Sequence, residues 1–173
     1  LNNPRTIMLT HVDKLFLGRA AWAASAVTVQ ANRILAPDAT LEQAEVDAML
    51  LLYPLRQVLR AAEVLRRHTT GPARELISDA LDRFHTDLPG VKDARDVLEH
   101  FDEYLLGAGR LQKRGQRSTG SDLERADAAA AFPVFSERRP GHFVLHVGPL
   151  SIDVATARSA AQALCTAAAD AEE

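Results

Sequence analysis

Between Thr40 and His68 the apolar residues Leu41, Ala44, Ala48, Leu51, Leu55, Val58, Ala62 and Leu65 fall alternately three and four positions apart. A strand, with its period of two, cannot gather such a series on one side, whereas an α-helix makes it a continuous stripe. The pattern predicts a long helix with a seam against neighbouring helices, a bundle core element. Thr40, with Gln43 three residues on, forms a capping-box start. Pro54 removes the amide bond to the carbonyl of Leu50 and predicts a kinked rather than a broken helix.

Other helices follow from the same period. From about His11 to Leu35 the apolar residues Val12, Leu15, Trp22, Ala26 and Val29 approximate helical spacing, and Pro37 stops the run. Gly71-Pro72 opens a third helix with Ala73, Leu76, Ala80, Phe84 and Leu88 inward, and Pro89-Gly90 turns it. A fourth is predicted from about Val91 to Leu106, with Val91, Ala94, Leu98, Phe101 and Leu105 as its core stripe. Short turns between long helices imply antiparallel neighbours, so residues 8–106 read as an up-and-down four-helix bundle. Residues 107–121, rich in glycine, serine and arginine, read as a flexible basic loop.

Beyond that loop the period becomes two. Phe132 to Phe135, His142 to Val147 and Leu150 to Ile152 predict a small β-meander with turns at Arg139-Pro140-Gly141 and Gly148-Pro149. Asp153 then caps a final helix whose stripe is Val154, Ala157, Ala161, Leu164 and Ala168. The expectation is a mainly α single domain over 8–173, with the bundle at 8–106 and the meander plus C-terminal helix at 132–173. Leu1 to Ile7 precede Met8 and carry no argument.

Composition limits the function classes. The net charge of −3 provides no global field for nucleic acid, so an RNA contact would need a local basic patch. Cys165 is the single cysteine, which excludes an internal disulfide and any multi-cysteine metal site, and fits a reducing cytoplasm. No apolar run is long enough to span a bilayer, and a signal-peptide pattern is not expected at the start. His142 and His146 share a side of their strand but stand about 13 Å apart at roughly 3.3 Å per residue, too far to share one metal. No metal-ligand set, phosphate-binding glycine loop or nucleophile elbow is read, and no cofactor is expected.

Chemistry concentrates at Arg95-Asp96-Val97-Leu98-Glu99-His100. On the predicted helix His100 lies opposite the core stripe, facing solvent or a second subunit, and Arg95 lies about 140° around the axis from it. Two such helices about a two-fold axis would bring two arginines and two histidines into one cleft. An imidazole exchanges protons near neutral pH and can assist attack of an RNA 2′-hydroxyl on the adjacent phosphate. A guanidinium complements it by stabilising the charge of the pentacoordinate transition state without a metal ion. Equally, Arg95 with Glu99 and Asp96 with His100 are i,i+4 pairs of an ordinary exposed helix.

This six-residue run resembles the Arg-polar-x-x-x-His motif of the HEPN superfamily, and the architecture from Val12 to Leu106 is similar to its helical bundles. Members are often dimeric; many are metal-independent endoribonucleases of toxin–antitoxin, phage-defence or RNA-processing systems, and others are inert. The resemblance implies Arg95 and His100 as catalytic residues at a homodimer cleft, Asp96 as the polar residue orienting them, an RNA substrate, and an antitoxin or other partner protein. Members modified by a partner nucleotidyltransferase carry tyrosine two residues after the histidine; here that position is Asp102, and the nearest tyrosine is Tyr104.

The acidic surroundings Asp96, Glu99, Asp102 and Glu103 repel a phosphate backbone unless arginines offset them. Arg110, Lys113, Arg114 and Arg117 follow with no acidic residue from Gly107 to Ser121, and they are the candidate RNA-binding set; their plain reading is a solvated loop. Arg56, Arg60 and Arg67 read as exposed bundle surface beside Glu63. Two functions remain open: a metal-independent endoribonuclease of toxin or defence type, and a catalytically inactive dimeric module that binds a partner protein.

Overall fold

The computed structural model describes residues 11–106, 108–115 and 133–171, with the backbone alone for 113–115. The long stripe folds as expected: α2, Leu41–His68, runs uninterrupted through Pro54, and Ala44, Ala48, Leu51, Leu55, Val58, Ala62 and Leu65 are buried. Leu41 alone of that series is exposed. The capping box at Thr40 is complete, with the Gln43 amide donating to the Thr40 hydroxyl and the Thr40 amide donating to the Gln43 side chain, both at 3.2 Å.

α1, His11–Ile34, packs along α2. Its first turn meets the last turn of α2 through Asp13 and His68 at 2.8 Å, and its last turn meets the first turns of α2 through Arg33 and Asp47 at 3.1 Å, so the two run antiparallel. The face turned inward is not the one expected. Ala20, Ala23, Ala24, Val27, Ala31 and Ile34 are buried, whereas Val12, Leu15, Trp22 and Val29 are exposed. Alanines let two helix backbones approach closely, so the small-residue face supplies the tighter packing and the larger side chains are left outside. Trp22 there lies under the Arg19 guanidinium, 4.6 Å from the ring centre.

α3, Gly71–Asp87, starts with Pro72 in its first turn and buries Ile77, Leu81 and Phe84, with Leu88 buried just beyond. Phe84 and Leu88 are buried as expected, while Leu76 points outward and Ile77 and Leu81 take the inward places expected for Leu76 and Ala80. The predicted fourth helix is two. α4, Val91–Glu99, ends at His100, whose φ of −118° and ψ of 36° leave the helical region, and α5, Phe101–Leu105, restarts there. Val97 and Tyr104 are buried on either side of the break, whereas Phe101 and Leu105, expected inward, are exposed. Gly90, at φ +83°, caps α4 where a Cβ would lie 2.5 Å from the Leu150 side chain.

The stretch expected as a flexible basic loop contains a helix, α6, Arg110–Gly115. Leu111 packs at the core edge, and Gln112 closes the first turn by accepting from the Gly109 amide at 2.8 Å. The remainder of that loop, with Arg117, and Phe132 at the expected start of the first strand lie outside the described residues.

The three-stranded meander forms, β1, Val134–Arg139, β2, His142–Val147, and β3, Leu150–Asp153, in one antiparallel sheet in that order, but β1 runs four residues past the expected end at Phe135 and takes Arg139 out of the turn into the ladder. β1 pairs Arg139 with His142 and Val134 with Val147, around a reversal at Pro140 and Gly141, the latter at φ +69°. Phe143, Leu145, Val147 and Ile152 form its buried face. Asp153 accepts from the Thr156 amide at 2.7 Å and starts α7, Val154–Asp170, whose whole expected stripe is buried. α7 packs against α1, α2 and α3, while α4 rests on α2 and the sheet. The chain is therefore mainly helical, with a small antiparallel sheet and a final helix. Among the described residues no helix is long and apolar enough to cross a membrane.

Candidate functional site

α4 carries Asp93, Arg95, Asp96 and Glu99 on its half-exposed side, because Val91, Ala94 and Val97 take the core side. Arg95 pairs through Nη2 with Glu99, one turn on, while its Nε is shielded from solvent without a hydrogen bond to any described residue. His100 sits at the joint between α4 and α5 with its side chain 52% exposed, and its Nδ1 is 3.8 Å from Glu103 Oε1. No hydrogen bond or ion pair joins Arg95 to His100.

Asp96 is turned elsewhere. Its Oδ2 accepts from Arg110 Nε at 3.1 Å and from the Tyr104 hydroxyl at 3.3 Å. Arg110 reaches on to Asp93 Oδ1 through Nη2 at 2.5 Å. The Tyr104 hydroxyl also accepts from the Leu111 amide at 3.2 Å, and the Gln112 side chain donates to the Tyr104 carbonyl at 2.9 Å. These bonds fold α6 back against α4 and α5. Burial raises the Tyr104 pKa above its usual value, the Leu111 amide lowers it, and the Asp96 charge raises it further. Arg110 is held more firmly protonated by its hydrogen bonds to Asp93 and Asp96.

The structure thus places the three motif residues on one short segment but brings Asp96 to Arg110 rather than to Arg95 or His100. Of the candidate RNA-binding residues, Arg110 is internally neutralised; the side chains of Lys113 and Arg114, and all of Arg117, lie outside the described residues. On α2, Arg60 and Arg67 are exposed as expected, Arg67 donating to the Glu63 backbone carbonyl, whereas the Arg56 side chain is only 15% exposed and donates to the Glu63 carboxylate at 3.3 Å. Asp93, Tyr104 and Gln112 were missed as members of this cluster. A signal existed for Gln112, since Gly109-x-x-Gln112 has the spacing of a helix start whose fourth residue reaches back to the first amide.

Chemically, the cluster offers a solvent-facing imidazole that can exchange protons and a guanidinium that must leave Glu99 before it can meet a phosphate. On the outer face of the sheet His142 pairs with Asp153 at 3.1 Å, and His146 stacks on Phe135 with ring centres 4.4 Å apart. Among the described residues no group of three or more histidine, cysteine or acidic side chains is arranged to hold a metal ion. No family model, no curated protein and no solved structure matches the chain.

Proposed function

We propose that the chain is a dimeric, HEPN-like interaction module whose motif-bearing surface meets protein rather than an RNA phosphate. The observation that carries this reading is the exposure of Phe101, Leu105 and Leu106, at 62%, 66% and 69%, directly after His100. Three large apolar side chains within six residues form the kind of surface that another protein covers. The ion pairs support it, since Arg95 and Arg110 are both matched by carboxylates of their own chain. Two copies meeting about a two-fold axis through α5 would bury both patches and bring both His100 side chains together. The finer arrangement of α1, α2, α3 and α7 as an up-and-down bundle, and a cytoplasmic setting, belong to the same proposal; the antiparallel α1–α2 pair and the single cysteine support them.

The second reading, a metal-independent endoribonuclease of toxin or phage-defence type, is favoured by one observation: the His100 imidazole is accessible at a non-helical joint five residues after Arg95. Analytical ultracentrifugation of the chain and of a Phe101→Asp/Leu105→Asp variant, beside incubation of a mixed RNA pool with wild type and His100→Ala in EDTA, separates the two. The module reading expects a wild-type dimer, a folded monomeric variant and intact RNA with both proteins. A wild-type monomer overturns it. Cyclic-phosphate ends produced by wild type and lost in His100→Ala establish the nuclease instead.

A further inference from the structure

The outer face of the sheet carries a carboxylate, an imidazole and a hydroxyl in succession, one from each strand. Side-chain alternation and the ladder register put Glu137 of β1, His146 of β2 and Ser151 of β3 on that face. The Ser151 hydroxyl lies 3.0 Å from His146 Nδ1, and Glu137 Oε1 lies 3.5 Å from His146 Nε2. None of the three belongs to α4 or α5, so the group is independent of the surface read above.

The imidazole is held in place. Phe135 stacks on it with the ring planes 13° apart, and the His146 side chain is only 18% exposed. Its Nε2 is covered from solvent and faces the Glu137 carboxylate. A carboxylate on that side favours the tautomer protonated at Nε2, which leaves Nδ1 free to accept the serine proton. The backbone adds a third element. The Gly148 amide donates to the Pro133 carbonyl at 2.8 Å, and Val147 pairs with Leu150 across the two-residue loop Gly148-Pro149. From that point the antiparallel alternation directs the His146 backbone groups to Phe135 and makes His146 and Ser151 a non-hydrogen-bonded pair, the kind with closer side chains. Ser151 therefore turns its own N–H to the outer edge of β3, beside its hydroxyl, where it can donate to an oxyanion.

We propose that Ser151 and His146 form a nucleophile and base that cleave uncharged carboxylic esters, with Glu137 as a positioning residue. Ser151 Oγ attacks the ester carbonyl carbon while its proton passes to His146 Nδ1. The acyl–oxygen bond breaks, and the leaving alcohol takes that proton. Water, giving a proton to His146, then attacks the acyl–serine ester; the carboxylic acid leaves and the proton returns to Ser151 Oγ. Ser151 is exposed, so a short acyl group reaches it without a fitted cleft.

Hydrolysis of p-nitrophenyl butyrate by wild type, Ser151→Ala, His146→Gln and Glu137→Gln tests this, each variant being checked for a retained thermal transition. Wild type is expected to turn over with saturation, and Ser151→Ala and His146→Gln to lose at least about 100-fold in kcat/KM. Glu137→Gln is expected to lower kcat about tenfold at unchanged KM, a split that general loosening of the sheet would not give. Independently of any variant, a fluorophosphonate probe, losing fluoride as the Oγ–P bond forms, is expected on Ser151 of the wild-type protein by mass spectrometry. Wild-type turnover no faster than that of folded Ser151→Ala, or a probe adduct elsewhere or nowhere, overturns the proposal. An unchanged kcat in Glu137→Gln overturns the role given to Glu137.

Discussion

Arg110 Nε lies 3.1 Å from Asp96 Oδ2, so the polar residue of the Arg-polar-x-x-x-His run is bound to a side chain fourteen positions later. A cation read as part of a nucleic-acid clamp is thereby used inside the fold, and a residue read as orienting a catalytic pair anchors α6. The Tyr104 hydroxyl donates to the same carboxylate from beyond the break at His100, after which Phe101 and Leu105 are exposed.

Arg110→Ala is expected to lower stability by only about 0.5–1 kcal/mol, because the ion pairs it breaks are partly open to solvent. For a chain of this size that corresponds to a fall of about 2–4 °C per kcal/mol in the melting temperature. Asp96→Asn removes the charge from the same contact, so the double variant should lose less than the sum of the two single changes. Strict additivity in thermal melts would show that the two side chains do not act together.

Tyr104 gives the fold a dependence on alkaline pH. Its folded pKa is raised by burial and by Asp96, so the unfolded chain releases the phenolic proton first, near the ordinary value of about 10. Stability from this group is complete below that pH and is lost as pH rises through the folded pKa. Urea denaturation of wild type is therefore expected to show a declining midpoint above about pH 10, with a smaller decline in Tyr104→Phe. At neutral pH that variant should cost about 1 kcal/mol for the hydrogen bonds to Asp96 and Leu111. A wild-type midpoint that falls no faster than the variant's would contradict the assignment.

The parts of the fold legible in the sequence were those where periodicity and capping agree. These were the α2 seam behind the Thr40 box, the β2 alternation, and the α7 stripe whose start Asp153 fixes. α1 was misread because it carries two regular faces, one of alanines and one with Leu15, Trp22 and Val29, and hydrophobic size favours the latter while close backbone approach favours the former. The break at His100 was not legible either. Val91, Ala94, Leu98, Phe101 and Leu105 fit one helix, and no local spacing marks the contacts of Asp96 with Tyr104 and Arg110 that accompany the break. For the candidate site, the exposure of His100 and the Arg95–Glu99 pair were legible from helix geometry, while the partner of Asp96 was not, because no local spacing relates it to Arg110.

Gly109 and Gly18 should respond oppositely to alanine. A Cβ on Gly109 would overlap the Tyr104 ring, so Gly109→Ala must displace either Tyr104 or the first turn of α6, at an expected cost of about 1–3 kcal/mol. Gly18 lies exposed inside α1 with nothing within 4 Å of an added Cβ, and Gly18→Ala should stabilise by about 0.5–1 kcal/mol through helix propensity. Chemical denaturation of the two variants checks both signs; a neutral Gly109→Ala would mean that α6 does not pack on Tyr104.

Arg138→Lys is expected to fail as a conservative replacement. Two nitrogens of one guanidinium reach the carbonyls of Ala36 and Ala39, which belong to the turn between α1 and α2, while the arginine itself belongs to β1. A lysine keeps the positive charge but presents a single ammonium, which cannot reproduce a planar fork across two carbonyls set three residues apart. One hydrogen bond to a charged donor is then lost, about 1.5–3 kcal/mol where the carbonyl stays covered and less where water replaces the donor. The effect should be local: native-state hydrogen exchange is expected to quicken for the Ala39 amide, which bonds to the Ala36 carbonyl in that turn, and for β1 amides, with little change in α3. Uniform acceleration across the chain would show that the clamp supports the whole fold, and unchanged exchange at both places would show that it supports neither.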